Sequence, residues 1–450
     1  MSTTAAPTIR RDRRDVPMTA PAEAAVEGFD EALEMLLSYT GDPVARIDAV
    51  IAEHPDTPMA HNLRASLHLL GTEGSALPIA RESVEAAGAL ADRMTERERG
   101  HLEANRAWVA GDLEKAAWAW ERVLLDTPHD ILALVAAHLT DFYLGDAHNL
   151  RDRVGRLLPA WSPSIPGYGY LLGMHAFGLE ETGAYRAAED SGRQAVELNR
   201  RDAWAVHAVA HVLEMEGRQH DGIRWMTERT EDWSVDNFFA VHNWWHLALY
   251  HLDLGELDRV FALYDQHIAT TPESQLLDAI DATAMLWRLR LLNVDVGDRW
   301  EAVADRWAAA IDERWYAFND FHAAMAFASA GRRDELDRVL ANLGQVATSG
   351  QGTNRRMAAD VGLPLAEAVV AFDEGRYGDV VDIVLPLRYT ANRFGGSHAQ
   401  RDLVHQTVVE AARRDGQLTL ARALLRERLV RKPSSPTIRR QLAEVEAALG

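Results

Sequence analysis

A chain of 450 residues, 47% apolar and 26% charged, has the length for well-packed cores and the make-up of an ordinary globular protein. Its 68 acidic against 47 basic residues leave a net charge of −21, which repels nucleic-acid phosphate and anionic lipid and argues against both as partners. Cysteine is absent, which removes disulfides, thiolate metal sites and thiol nucleophiles and fits a reducing compartment.

The first 25 residues, MSTTAAPTIRRDRRDVPMTAPAEAA, are rich in Ala, Thr, Pro and charge, and predict a disordered N-terminal tail over 1–25. The RRDRRD run superficially matches a twin-arginine export signal, but no apolar h-region follows it. No stretch of about 18 apolar residues occurs anywhere, so a membrane span is not expected. The expected location is cytoplasmic.

From residue 26 onward the pattern is of short amphipathic helices with few strand signals. Glycines followed by polar residues recur at Gly71, Gly111, Gly145, Gly183, Gly217, Gly255, Gly297, Gly331, Gly375 and Gly416, spaced by 34 to 44 residues. The tetratricopeptide helix–turn–helix unit has a period of about 34 residues, and helical repeats tolerate extra ones. An independent mark agrees. Ala104, Ala176, Ala210, Ala248, Ala324 and Ala368 each stand seven positions before a turn glycine, where the two helices of a hairpin approach closely. The longest breaks fall near 157–167 and 346–356. The expected fold is all-α, a tetratricopeptide-like α-solenoid of about ten helix pairs forming one domain over 26–450. Such stacking curves into a superhelix with a concave groove.

Repeat register then selects the groove-facing side chains. It places Trp204, His207, His211 and Glu214 on one helix and His242 and Trp245 on the next repeat, with His246 one position off and Tyr170 from the repeat before. His207, His211 and Glu214 follow i, i+4, i+7 and share a face. Three further segments reach toward this patch. Asp278 and Asp281 stand at i, i+3; Asp320 and His322 lie in FNDFHAAMAF; and RFGGSHAQRDLVHQ carries His398, Arg401, Asp402 and His405 behind a flexible Gly-Gly and an N-cap serine. A helix start beside an arginine suits an anion or carboxylate.

These residues point first to a binding protein holding a small molecule or peptide in a His/Asp/Glu- and aromatic-lined groove. An enzyme using the same cluster for acid–base or metal-assisted chemistry is the second reading, and a protein–protein scaffold the third. His207, His211, His242 and His246 could hold zinc, iron or manganese. That reading is not favoured, because the H-E-x-x-H arrangement is absent. No P-loop, dinucleotide fingerprint or G-x-S-x-G elbow is present either.

The segments GYGYLLGMHAFGLEETGAYRAAE, DAWAVHAVAHVLEMEGR, HNWWHLALYHLDLGELDRVFALYDQHI and GGSHAQRD resemble the tetratricopeptide repeat protein 38 family, bacterial members included, from about residue 30 to the C-terminus. The resemblance implies a soluble, cytoplasmic helical-repeat protein. It implies no reaction and no catalytic residue set.

Overall fold

A computed structural model describes residues 8–450; residues 1–7, the start of the expected tail, lie outside the described residues. The described chain is all-α apart from one short hairpin, and successive helices pack chiefly on their neighbours in sequence. The fold is of the tetratricopeptide-like helical-repeat class. Among the described residues no helix is long and apolar enough to cross a membrane. Two compact units divide the chain. The first comprises the residues up to Ala208 with Asp232–Phe238, the second Val209–Glu231 with Phe239–Gly450, where the sequence reading has a single domain over 26–450.

The repeat marks take physical form. Nine of the ten turn glycines adopt positive φ, the left-handed conformation in which a Cβ would clash and which ends helices. Gly71 is the exception at φ −74°, and Thr72 carries that turn at φ 56°. In two turns the residue after the glycine then starts the next helix: Asp112 and Asp146 accept hydrogen bonds from the Lys115 and Asn149 amides at 3.0 Å, supplying the N-cap. The six register alanines are all buried. The break expected at 346–356 is largely helical, since Arg333–Ser349 runs into its start and Gly352–Met357 resumes after Gly350.

In the first unit the expected tail is folded from residue 8 onward. Strands Ile9–Arg11 and Pro17–Thr19 pair antiparallel, and the first helix, Glu23–Ser38, follows directly. Within RRDRRD the two buried charges, Asp12 and Arg14, are matched. Asp12 closes the turn by accepting from the amides of Arg14 and Val16, both at 2.9 Å. Arg14 is buried, with Asp30 3.5 Å away and the Pro166 carbonyl 3.0 Å away. Arg97 ties the Pro17 carbonyl to Asp130, at 3.2 and 2.6 Å. Buried charges persist only when paired this way, and that pairing is what composition could not show.

In the second unit the chain returns on itself. The C-terminal helix, Pro436–Leu449, packs on Ala240–Leu254. Ser435 Oγ donates to Asp253 Oδ1 at 2.5 Å and Thr437 Oγ1 to the Asp253 carbonyl at 2.9 Å. Helix His398–Arg414 packs on Leu276–Leu291, where Trp287 Nε1 donates to Thr407 Oγ1 at 3.0 Å and Arg288 donates to the Ala399 carbonyl at 2.6 Å. Repeat register alone does not show that the C-terminal segment reaches Glu214 and Asp253 in this unit.

Candidate functional site

The second unit brings histidines and carboxylates from three separate helices together. Helix Ala240–Leu254 presents His242 and His246 one turn apart, on a common face. His246 Nε2 lies 3.2 Å from His242 Nε2. A carboxylate stands beside each ring, hydrogen-bonded to His242 and within ion-pair distance of His246. His242 Nδ1 donates to Asp281 Oδ2 at 2.7 Å, and His246 Nδ1 stands 3.3 Å from Glu214 Oε2. Asp281 comes from helix Leu276–Leu291, and Glu214 from helix Ala203–Met215. That last helix also supplies His211, whose ring centroid is 4.4 Å from that of His246. One ring nitrogen from each of His211, His242 and His246 falls within 4.8 Å of the others.

The surroundings are aromatic and largely dry. Trp245 is stacked on His242 with centroids 5.3 Å apart, Phe239 packs on the other side at 5.1 Å, and the Arg288 guanidinium lies 5.2 Å from the Trp245 ring. Burial holds His246 well below the ordinary histidine range, and His211, His242, Lys432 and Arg288 push it the same way. It is therefore a neutral imidazole at physiological pH. His242 is the opening to this cluster, with 15% of its side chain exposed against none for His246.

Glu214 leads outward from the histidines. Lys432 donates to its Oε1 at 2.6 Å. Burial opposes the Lys432 charge, but Glu214 and Asp402 outweigh it and raise the ammonium above its usual value. Asp402 is held in a two-pronged pair by Arg428, at 2.6 and 3.0 Å. Burial would raise this carboxyl, yet Arg428 and Lys432 keep it well below the carboxylate range. Glu214, Arg288, Asp402, Arg428 and Lys432 line one cavity of about 70 Å³. At roughly 10–15 Å³ of such space per water, it takes a few waters or a small polar group.

The other expected site residues are distributed as follows. His207 sits one turn before His211 on the same helix face, and its ring packs on Phe177 and Trp204 at 5.3 and 5.0 Å. Trp204 stacks on Tyr39, centroids 6.0 Å apart, and Tyr170 donates its hydroxyl to Glu34 at 2.7 Å. Both belong to the aromatic packing of the first unit. Asp278 is half-buried in the first turn of its helix, three residues before Asp281. Asp320 and His322 part company. Asp320 lines a separate cavity of about 10 Å³, and burial, with Glu313, pushes its carboxyl up to about 7 against the pull of Arg314. His322 donates from Nδ1 to the Phe318 carbonyl at 2.8 Å, and burial pushes it down to about 3. Its role is to hold its own helix.

Around GGSHAQRD the N-cap is as expected. Ser397 and Gln400 form a reciprocal capping box, at 3.0 and 3.3 Å. The Arg401 guanidinium donates to the Gly396 carbonyl and braces that turn. His398 is the first helical residue, and His405 packs edge-on to Tyr389, pushed down to about 4 by burial against the pull of Asp402. Only Asp402 of this segment lines the cavity. Arg288, Arg428 and Lys432 join the site without having been expected from repeat register. Arg288 carries a signal in the sequence, being an arginine in an apolar helix seven residues after Asp281 and so on the same face.

No family model matches the chain. Among solved structures it is similar to yeast Tom70, at 11% identity over 95% of this chain and 96% of that one, with a TM-score of 0.34. It is similar also to a chain of the Naa15/Naa10 assembly bound to HypK-THB (10% identity, 89% of this chain, 62% of that one, TM-score 0.27) and to the P58(IPK) TPR domain (14%, 88%, 99%, 0.18). Likenesses this distant assign no function.

Proposed function

We propose that this is a helical-repeat binding protein that takes a small molecule, or the polar end of a peptide, at the His242–His246–Glu214 cluster of its second unit. The observation that carries this reading is the pairing of two adjacent histidines, each with its own carboxylate, beside the cavity shared by Glu214, Lys432, Arg288 and Asp402. Burying so many ionisable groups costs stability unless each is paired, and packing alone would be served better by apolar side chains. The cavity's size favours a ligand that inserts a group of a few heavy atoms. Acid–base chemistry on such a ligand is the enzyme reading of the same residues, with His242 as the reachable base oriented by Asp281. Native mass spectrometry of the chain purified under gentle conditions tests the proposal. A co-purifying adduct heavier than a metal ion, lost in His242→Ala, supports it; a bare wild-type chain that also shows no thermal shift across a metabolite library contradicts it.

A scaffold reading has its own observation. Trp118 and Leu125, seven residues apart on one helix face, are 69% and 66% exposed, as a protein-docking stripe would be. The quoted sequence segments support membership of the tetratricopeptide repeat protein 38 family. The net charge of −21 and the absence of cysteine support a cytoplasmic location and partners other than nucleic acid.

A further inference from the structure

We infer that the imidazoles of His211, His242 and His246 form a site for a divalent first-row transition ion, zinc above others, with Asp281 and Glu214 as the carboxylates that orient the ligands. This rests on the functional site proposed above and specifies what occupies its inner end.

Three geometric facts support it. First, the spacing is that of a coordination sphere. Two nitrogens bound to one zinc at about 2.0–2.1 Å with tetrahedral angles lie about 3.3–3.4 Å apart. His242 Nε2 and His246 Nε2 are 3.2 Å apart, and a His211 nitrogen completes a set within 4.8 Å. Second, a carboxylate stands behind each ring, hydrogen-bonded to His242 and at ion-pair distance from His246. A metal-bound histidine commonly donates its other N–H to a carboxylate, which fixes the tautomer and raises the basicity of the ligating nitrogen. His242 Nδ1 faces Asp281 at 2.7 Å and His246 Nδ1 faces Glu214 at 3.3 Å. With both protons on the carboxylate side, two Nε2 lone pairs face each other, an arrangement that a cation between them relieves. Third, the ligand set has the right chemistry. Neutral imidazoles in a low-water aromatic setting select borderline ions over magnesium or calcium, which need oxygen ligands. The partly exposed side of His242 marks where an ion would enter.

The test uses the full chain, stripped with chelator and reloaded with Zn2+ or Co2+. The expected result is about one equivalent of zinc by elemental analysis and visible d–d absorption on cobalt loading. His246→Gln and His242→Gln should abolish both, while Asp281→Asn weakens affinity about 10–100-fold. His405→Gln, outside the cluster, should bind as wild type does. Circular dichroism checks that each variant is folded; since His242 is the more exposed ligand, His242→Gln keeps the test decisive if His246→Gln unfolds. Less than a tenth of an equivalent in a folded wild-type chain, or zinc and cobalt retained in folded His242→Gln, overturns the proposal. An organic adduct retained by a chain that takes up no zinc or cobalt overturns the metal site alone and leaves the binding function standing.

Discussion

Lys432→Met is the perturbation whose consequence the structure fixes most closely. Lys432 and Glu214, 218 positions apart, join at 2.6 Å, with only 13% and 12% of their side chains exposed. Removing the ammonium takes away the cation hydrogen-bonded to the Glu214 carboxylate, and Arg428 is committed to Asp402. Breaking a buried pair from one side costs about 3–5 kcal/mol, and the residual exposure of both groups puts the expectation at the lower end, about 3 kcal/mol. For a unit of this size, at about 2–4 °C per kcal/mol, the melting transition should fall by about 6–12 °C. The assay is thermal and urea unfolding of Lys432→Met, Glu214→Gln and the double variant. The double variant should recover at least half of the loss, because the penalty lies in the unpaired charge. A Lys432→Met transition within 1 °C of wild type would refute the reasoning, as would strict additivity in the double variant.

Further outcomes follow from other sites. The Asp320 carboxyl is pushed up to about 7, so between pH 4 and 7 the folded state binds a proton that the unfolded state has released. Its contribution is therefore present at low pH and lost as pH rises; Asp320→Asn should gain on wild type by up to about 1.4 kcal/mol per pH unit across that window and hold the gain above it. Urea unfolding at a series of pH values reads this, and a pH-independent difference would contradict it. Gly178→Ala should destabilise the first unit severely, since its Cβ would lie 2.4 Å from the Leu150 backbone; an unchanged melting curve would show that the two helices separate freely. Arg14→Ala should loosen the N-terminal hairpin by leaving Asp30 without its buried partner, seen as faster hydrogen exchange over residues 8–20 with little change elsewhere.

Local stereochemistry accounts for the features that can be read from the chain alone. Positive φ after a helix leaves few residues besides glycine, so glycine marks the turn at nine of ten positions. The 3.6-residue period makes the two histidine pairs and the Asp281 face readable from residue spacing. The hidden features depend on contacts distant in the chain. Nothing near Lys432 says that it reaches Glu214, and a lysine beside proline and serines looks solvated. The RRDRRD segment reads as disordered for the same reason, because its buried partners, Asp30 for Arg14 and Arg97 for Asp12, lie in later helices. Arg401 reads as an anion ligand because an arginine at a helix start suits an anion as well as it suits the carbonyl of its own turn.

The claim at the centre of this account is that the histidine cluster of the second unit exists to hold a ligand and not to hold the fold. The most direct measurement is native mass spectrometry of the gently purified chain and of His242→Ala, each paired with its melting temperature. The account predicts a bound species on the wild-type chain that is absent from the variant, whose melting transition stays cooperative and falls by no more than about 6–12 °C, as for about 3 kcal/mol lost when Asp281 is left without its partner. A variant that unfolds or melts far lower, or a bound species that survives in it unchanged, would contradict that claim.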